Sequence, residues 1–323
     1  MARSHVRACA IALYVLIAAG AAAQVLWKEP PALSVSDWVS GPGGAETAPL
    51  PPFKFLKENL DGTNPKIDVV DAAERTWVVK FGGEVHSDTF AARLLYAVGY
   101  AAAPTFFVPS GVIGNVRGSK RTKSFLMKDG SFHNARFKLH RHHKIKWSWV
   151  DNPFKGSREL GGLKIMIMLL SNWDTKDARD GEGSNNEVFE EQQPGGSSGS
   201  WFAVTDWGAS LGKSGGFFRR NRWDWRGYRA QTPRFATLQR DGSIRWGFRG
   251  KHGADIVAGV GVEDVRWLVP YLSRITDQEL AAGLAASGGS AAVAQQFTRA
   301  IRARVQDLQR IAKSRDFQEV GTK

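Results

Sequence analysis

Three short segments that begin at residue 53 have the residue patterns of β-strands. Phe53–Leu56 and Lys66–Val70 alternate between apolar and polar positions, and Thr76–Phe81 is rich in β-branched and aromatic residues. Between the first two segments, Asn59–Pro65 has the composition of a turn. These patterns predict an antiparallel meander that carries Lys80 on its third strand.

Helical patterns dominate the rest of the chain. The second of the three predicted helical regions is apolar on all sides, which is typical of a buried helix. The predicted regions are Ser87 to about Val98 with Gly99 ending it, Arg158–Leu170, and Val262 to about Ala312 with breaks or caps at Asp277 and Ser290. We therefore predict an α+β protein with a small β-rich N-terminal part and a larger, mainly helical C-terminal part.

The N-terminus has the pattern of an export signal. Arg3 and Arg7 precede the apolar stretch Ala8–Ala23, which ends in three alanines that fit a cleavage site before Gln24. The apolar stretch is short for a membrane span, so we expect cleavage, whereas an uncleaved signal would act as an N-terminal membrane anchor. The predicted location is the periplasm or the exterior of the cell.

The composition suggests a division of the chain into four parts. Residues 1–23 are the predicted signal peptide, and residues 24–52 are rich in Pro, Gly and Ser, which predicts a linker with little structure. Residues 53–150 form the predicted N-lobe, with an antiparallel sheet and one helix. Residues 151–323 form the predicted helical C-lobe with catalytic-type loops, and within it Gly181–Ser200 has the composition of a mobile insertion.

The charge and the cysteine content limit the kinds of site. The 323-residue chain has a formal net charge of +13, which favours anionic partners such as phosphates, acidic lipid, nucleic acid or acidic protein. Its single cysteine, Cys9, lies inside the predicted signal, so the mature chain would have neither a disulfide nor a cysteine metal site. His140, His142 and His143 lie among basic residues, which is more typical of a solvated surface than of a metal site.

Two aspartates carry the candidate chemistry. Asp174 follows the predicted buried helix in an Asp-x-Lys sequence, and Asp206 follows a predicted strand in an Asp-x-Gly sequence. Kinases place their catalytic and metal-binding aspartates in this order, after a strand lysine such as Lys80. Each residue alone is more often a simple helix or strand terminus, so the hypothesis depends on their order and spacing.

Phosphoryl transfer assigns a role to each candidate. Asp174 would orient the acceptor hydroxyl, and Lys176 would neutralise charge on the transferred phosphate. Asp206 would hold the metal ion, and Lys80 would hold the phosphates of the nucleotide. Further candidates are Gly62 in the loop over the phosphates, Glu84 or Asp88 as the acid that pairs with Lys80, and Asp177 as a second metal ligand. The sequence does not decide between Glu84 and Asp88, which both have the alternative role of a favourable charge near a helix N-terminus.

The segments Phe53–Lys80, Gly83–Tyr100, Leu163–Asp177 and Val204–Gly212 resemble a family of uncharacterised exported bacterial proteins. That family in turn resembles the atypical branch of the protein-kinase-like fold, which includes HipA-type kinases, phosphoinositide kinases and secreted Golgi-type kinases. The resemblance covers roughly residues 53–312 and implies a two-lobed fold with a nucleotide cleft near Lys80. It implies ATP and Mg²⁺ as cofactors and a protein or lipid hydroxyl as the acceptor.

Two departures from the kinase pattern keep other functions open. Arg179 stands five residues after Asp174, where kinases have a metal-binding Asn, and no Gly-rich motif precedes Lys80. Asp177, Asp180 or Asn185 would have to replace that ligand. One alternative is therefore a degenerate kinase fold that binds nucleotide without transferring phosphate.

The Arg/Trp segment 217–229 supports a third hypothesis, a basic module for nucleic acid or anionic membrane. No recognised nucleic-acid-binding motif is present, which argues against nucleic acid. The same region also fits a lid or an activation-type segment over the cleft.

Overall fold

The computed structural model describes residues 23–60, 62, 64–141, 145–192, 198–215 and 220–314. In these residues the strands are β1 (Ala23–Val25), β2 (Phe53–Glu58), β3 (Lys66–Val70), β4 (Thr76–Phe81), β5 (Thr105–Gly114), β6 (Ser131–Leu139), β7 (Ile145–Lys146), β8 (Asn186–Gln192), β9 (Ser198–Val204), β10 (Ala236–Leu238) and β11 (Ile244–Trp246). The helices are α1 (Val35–Ser40), α2 (Val85–Ala97), α3 (Arg158–Leu169), α4 (Trp225–Gln231), α5 (Gly253–Val257), α6 (Val262–Ser273), α7 (Asp277–Ala286) and α8 (Ala291–Ala312). The protein is thus α+β, with a β-rich N-terminal region followed by a mainly helical C-terminal part.

A closed barrel forms the N-terminal region, with the strand order β2-β3-β4-β6-β5. The predicted meander is confirmed as β2, β3 and β4, and β2 runs two residues further than expected. The barrel closes where β2 pairs in parallel with β5, between Phe53 and Ile113. Large aromatic side chains fill the interior, which explains why every second position of these strands is apolar. They are Phe53, Trp77, Phe81, Phe132 and Phe137.

Helix α2 begins two residues earlier than the sequence predicted, because Ser87 does not cap it. Gly82 has a φ of +86°, which lets the chain turn directly from β4 into the helix. Glu84 is the N-terminal flanking residue, and the Ser87 hydroxyl donates instead to the carbonyl oxygen of Gly208, 2.7 Å away. The helix ends before Gly99, which has a φ of +92°, as expected.

The C-terminal part is built around α3, whose residues from Leu160 onwards are buried on every side. Its predicted bounds are confirmed within one residue, and Ser157 caps its N-terminus. Helix α8 packs against both α6 and α7, and α6 packs against α3. Ser290 caps α8 as predicted. Within the described residues, no helix is both long and apolar enough to span a bilayer.

The expectation of a linker with little structure does not hold for residues 24–52. Strand β1 pairs in parallel with β9, and α1 is capped by Ser34. Trp38 on α1 is buried against Phe90 of α2, and the Arg93 guanidinium donates to the carbonyl oxygens of Trp38 and Val39 at 2.9 Å. The Pro and Gly content concealed these apolar anchors, which tie the segment to α2. Residues 1–22 of the predicted signal lie outside the described residues.

The predicted insertion Gly181–Ser200 also contains regular structure. Strands β8 and β9 pair in antiparallel fashion from Asn186↔Val204 to Gln192↔Ser198, in a sheet of order β1-β9-β8-β7. Residues 193–197 lie outside the described residues. Val188 and Phe189 are the only apolar residues of β8, and this short pair among polar residues gave no strand pattern in the sequence.

Candidate functional site

Lys80, near the end of β4, makes the central contacts of the candidate site. Its ammonium group lies 2.8 Å from Glu84 Oε2 and 3.2 Å from Asp206 Oδ2. Lys80 and Glu84 are both buried, whereas about a third of the Asp206 side chain is exposed. The pair with Glu84 forms locally because Glu84, which flanks the N-terminus of α2, lies only four residues after Lys80. The contact with Asp206 instead joins the barrel to the loop after β9.

Lys80 and Asp206 stabilise each other's charged forms. Burial opposes the protonated form of Lys80, but the charges of Asp206 and Glu84 outweigh it and raise the pKa of Lys80 above its usual value. Burial likewise opposes the ionised form of Asp206. The nearby Lys80 and the hydrogen bond from the Gly208 N–H overcome this effect and hold the pKa of Asp206 well below its usual range. Lys80 and Asp206 are therefore both ionised at neutral pH.

Asp88, the other candidate partner of Lys80, has a different role. Its Oδ2 accepts from Arg136 at 2.5 Å, and its Oδ1 accepts from the Trp207 N–H at 3.1 Å. Burial opposes the ionised form of Asp88, but nearby Lys138 and Arg136 lower its pKa below the usual value. Asp88 thus fixes the residue that follows Asp206, while Glu84 is the acid that pairs with Lys80.

The two aspartate loops are bonded to each other through a buried side chain that the sequence analysis missed. Asn172 donates from Nδ2 to the carbonyl oxygen of Asp206 at 3.1 Å, and its Oδ1 accepts from the Asp174 N–H at 3.3 Å. Backbone bonds reinforce the pairing, from Trp173 N–H to Ala209 and from the Leu211 N–H to the residue at the end of α3. A lone Asn has no sequence signature for such a role, beyond its position two residues before Asp174.

Asn185 connects the same loops from the other side. Its Nδ2 donates to the carbonyl oxygen of Asp174 at 2.5 Å, and its own carbonyl oxygen accepts from the Thr205 N–H at 2.7 Å. The ammonium group of Lys176 lies 3.0 Å from Asp174 Oδ2, and both side chains are about 30% exposed. Asp174 therefore presents a carboxylate with an adjacent cation.

These residues surround a cavity of about 590 Å³ between the barrel and the C-terminal part. Six of the eight predicted site residues line it, and Asn185 does so as well. The six are Gly62, Lys80, Asp88, Asp174, Lys176 and Asp206. Basic side chains outnumber acidic ones along its wall, since Lys66, Arg136, Lys138, Arg141 and Lys146 also line it. The cavity is therefore suited to an anionic ligand.

Asp177 does not line the cavity, so it is not placed to share a metal ion with Asp206 there. Its carboxylate is buried and accepts from Ser148 Oγ at 3.0 Å, from the Trp149 N–H at 2.9 Å and from Arg179 Nη2 at 2.6 Å. Burial opposes its ionised form, but the hydrogen bonds from Arg179 and Trp149 lower its pKa. It caps the turn that follows it, with its side chain accepting from the Arg179 N–H.

A compact group of ionisable residues surrounds Asp177. Potential ligand atoms of Asp177, Asp180 and His252 lie within 4.8 Å of one another. Arg179 and Lys251 are already paired with these carboxylates, so the group is neutralised by the protein itself. Arg179 also contacts Asp255 at 3.0 Å, which keeps its charge in this group and away from the cavity lining.

The Arg/Trp segment contacts the site from outside, although its residues 217–219 lie outside the described residues. Arg222 contacts Glu84 Oε1, and its guanidinium lies 5.4 Å from the centre of the Trp173 ring. Trp223 packs between His86 and Phe297, with ring centres 5.2 and 4.8 Å away. The indole of Trp223 is thus used in internal packing, which fits a segment held over the site better than a platform for stacked bases.

No protein-family model and no curated protein matches this chain. Two solved structures of the Golgi casein kinase are similar to it at low identity. The one with Mn and ADP bound has 9% identity and a TM-score of 0.42, and the match covers 83% of this chain and 73% of that chain. The other has 11% identity and a TM-score of 0.38, with 85% and 74% covered.

Proposed function

We propose that this chain binds a nucleoside triphosphate with a divalent cation in the cavity and transfers the terminal phosphoryl group to a hydroxyl. The observation that carries the proposal is the convergence of Lys80, Glu84 and Asp206 at one end of a cavity that Asp174 also lines. These charges come from distant parts of the chain, and Lys80 and Asp206 are 126 residues apart in sequence. Phosphoryl transfer requires this combination of a cation for the phosphates, an acid for the metal and an acid for the acceptor.

The residues present fit the proposed ligands. A cavity of about 590 Å³ lies within the range of small-molecule sites, and its basic lining suits polyphosphate. Asp206 has an exposed carboxylate edge beside Lys80, and Asn185 on the same wall is the oxygen donor that could complete a metal site. Bound there, Mg²⁺ or Mn²⁺ would supply charge neutralisation for the phosphate oxygens.

The chain's own side chains would carry the remaining steps. Lys80, held by Glu84, would bind phosphate oxygens, and Asp174 would orient the acceptor hydroxyl. The hydroxyl oxygen forms a bond to the terminal phosphorus while the bond from that phosphorus to the bridging oxygen breaks. The proton of the hydroxyl passes to the Asp174 carboxylate, and the nucleoside diphosphate is the leaving group. Lys176, 3.0 Å from Asp174, would balance charge on the transferred group.

Calorimetric titration with ATP, in the presence and absence of Mg²⁺ or Mn²⁺, tests the proposal. We expect binding that requires the metal, and absence of binding up to millimolar ATP with either metal would overturn it. Asp206→Asn should remove the metal dependence, whereas Asp174→Asn should keep ATP binding and lose metal-dependent ADP formation. Asp151→Asn is a matched control, because that carboxylate is 90% exposed on the surface.

Nucleotide binding without transfer is the second candidate function. The observation that favours it is Arg179, which occupies the sequence position where kinases have a metal-binding Asn. It predicts that ATP binds with the same affinity with and without metal, and that ADP formation does not exceed that of Asp174→Asn.

Export from the cytoplasm is a further part of the proposal, and it is supported by Arg3, Arg7 and the apolar stretch that ends at Ala23. Mass spectrometry of the N-terminus of secreted or periplasmic protein tests it, with Gln24 as the expected first residue. The acceptor would then be a protein or lipid hydroxyl outside the cytoplasm.

A further inference from the structure

Lys138 on β6 is a cation of the cavity wall that the proposed phosphoryl transfer does not use. It lies opposite Val78 on β4 and opposite Thr105 on β5. Residues directly opposite each other in paired strands project from the same face of the sheet, and all three of these residues line the cavity. Lys138 therefore projects from the barrel into the space between the barrel and the C-terminal part.

The ammonium group of Lys138 has more donors than the described residues use. Lys80 and Arg136, which project from the same face, each contact a carboxylate. Lys138 instead donates to the carbonyl oxygen of Thr205, and no carboxylate of the described residues lies within ion-pair distance of its three donors. Burial lowers the pKa of Lys138, and the charge of nearby Asp88 offsets this only in part. An acceptor atom on a ligand would therefore stabilise this group.

Lys138 lies beside the part of the cavity where a nucleobase would fit. In the proposed function the phosphates are bound at Lys80, and Val78 lies two residues earlier on the same face of β4, about 6–7 Å away along the strand. Val78, opposite Lys138, and Val204, next to Thr205, give this part of the wall apolar side chains. Apolar side chains suit the flat face of a base better than they suit phosphate. A base over Val78 would have its edge near the Lys138 ammonium group.

An ammonium group at this place favours one class of base. Guanine and hypoxanthine present two acceptors, O6 and N7, along one edge, and lysine is a common partner of this pair of acceptors. Adenine has an amino group in place of O6, and that amino group is a donor, so it cannot accept from an ammonium group. An amide side chain, which both donates and accepts, matches the adenine edge instead.

We infer that Lys138 is a specificity-determining residue, which makes the cavity prefer 6-oxopurine nucleotides such as GTP to ATP. The inference rests on the proposed function and extends it, since it assigns the base of the nucleotide to the wall formed by Val78 and Lys138. ATP would still bind through its phosphates and the metal ion, but without the contact at the edge of its base.

Calorimetric titration of the full chain with GTP, inosine triphosphate (ITP) and ATP, each with Mg²⁺, tests the inference. We expect GTP and ITP to bind the wild type about tenfold more tightly than ATP, as for one contact to two acceptors of a base. In Lys138→Met this preference should disappear, while the affinity for ATP should change by less than about twofold. Lys138→Gln should shift the preference towards ATP, because an amide pairs with the adenine edge. Lys54→Met, on the exposed side of β2, is the control and should behave as the wild type.

The two proposals fail in different ways in this experiment. If the wild type binds ATP at least as tightly as GTP, or if Lys138→Met keeps the preference for GTP, the role of Lys138 is wrong and the proposed function stands. An equal loss for all three nucleotides in Lys138→Met also refutes the inference, because Lys138 would then serve the phosphates or the fold. If the wild type binds none of the three, both proposals are wrong. Thermal unfolding of each variant without ligand shows whether its fold is intact, and the order of affinities in the wild type tests the inference without any variant.

Discussion

The ion pair between Lys80 and Glu84 leads to a quantitative prediction about the free energy of unfolding. Both side chains are less than a tenth exposed, and their charged atoms are 2.8 Å apart. Removing one partner of a buried ion pair costs about 3–5 kcal/mol, because the other charge is left buried. For Lys80→Met we expect the free energy of unfolding to fall by about 3 kcal/mol, the lower end of this range, because Arg222 still contacts Glu84. Glu84→Gln should cost about 1–3 kcal/mol, because Lys80 keeps its contact with Asp206.

The double variant separates this pair from its surroundings. With both charges removed, the free energy of unfolding should fall by less than the sum of the two single changes, and we expect a coupling of about 1–3 kcal/mol. Urea unfolding followed by tryptophan fluorescence measures the free energy of unfolding of the wild type, the two single variants and the double variant. The four values are compared only if the free energy falls with urea at the same slope in each protein. The exposed pair Lys155 and Asp151, 3.4 Å apart, is the matched control, and its coupling should stay below about 0.5 kcal/mol.

The sign of the pH dependence provides a second measurement on the same pair. The pKa of Lys80 is raised in the folded protein, so its contribution to stability is fully present below the pKa of an unfolded lysine. That contribution is lost only as the pH rises through the higher folded value. The coupling should therefore be equal at pH 7 and pH 9. Additive single changes, within about 0.5 kcal/mol, would refute the reasoning that Lys80 and Glu84 stabilise each other.

Three other changes test separate parts of the structure. Gly208→Ala would place a methyl carbon 2.6 Å from Glu84 Oε2, so we expect a lower ATP affinity in titration and a loss of about 1–3 kcal/mol of stability in urea unfolding. Gly253→Ala is the control, because its methyl carbon would meet only a ring atom at 4.0 Å. It should change neither quantity. Burial opposes the ionised form of Asp71, but the hydrogen bonds from a neighbouring arginine outweigh it and lower its pKa to about 2. Its contribution to stability is therefore present above about pH 4 and lost as the pH falls towards 2, and Asp71→Asn should unfold more easily at pH 7 but lose less stability on acidification. Asn172→Ala removes two hydrogen bonds that join the aspartate loops. The free energy of unfolding in urea should therefore fall by about 1–3 kcal/mol, and ADP formation should fall as well. Unchanged values of both quantities would contradict the bridging role of Asn172.

The sequence predicted the elements whose side chains follow a simple period. The three strands of the meander were found because every second residue faces the aromatic interior of the barrel. Helix α3 was predicted because it is apolar on all sides. Ser290 was predicted as a cap because a hydroxyl side chain directly before a helical pattern is a strong capping signal. The placement of Lys80 on a strand followed from the same alternation.

The details of the site depend on contacts that have no such period. The choice between Glu84 and Asp88 was set by the turn at Gly82, which starts α2 early and places Glu84 beside Lys80. The role of Asn172 could not be predicted, because a single buried amide leaves no pattern in the sequence. Asp177 was placed in the site on its distance from Asp174 along the chain, yet it caps the next turn and points into a different group of charges.

The site joins contacts that have different requirements for folding. The Lys80–Glu84 pair spans four residues and needs only β4 and the start of α2. The contact from Lys80 to Asp206 spans 126 residues and needs the barrel and the C-terminal core to be folded and docked. Arg222 adds a third connection, because it contacts Glu84 from the segment after the Asp206 loop. Asp206 would lose the cation that keeps its pKa low if the two cores separated. The charge state that a metal–nucleotide complex requires is therefore a property of the docked molecule, and neither lobe would provide it alone.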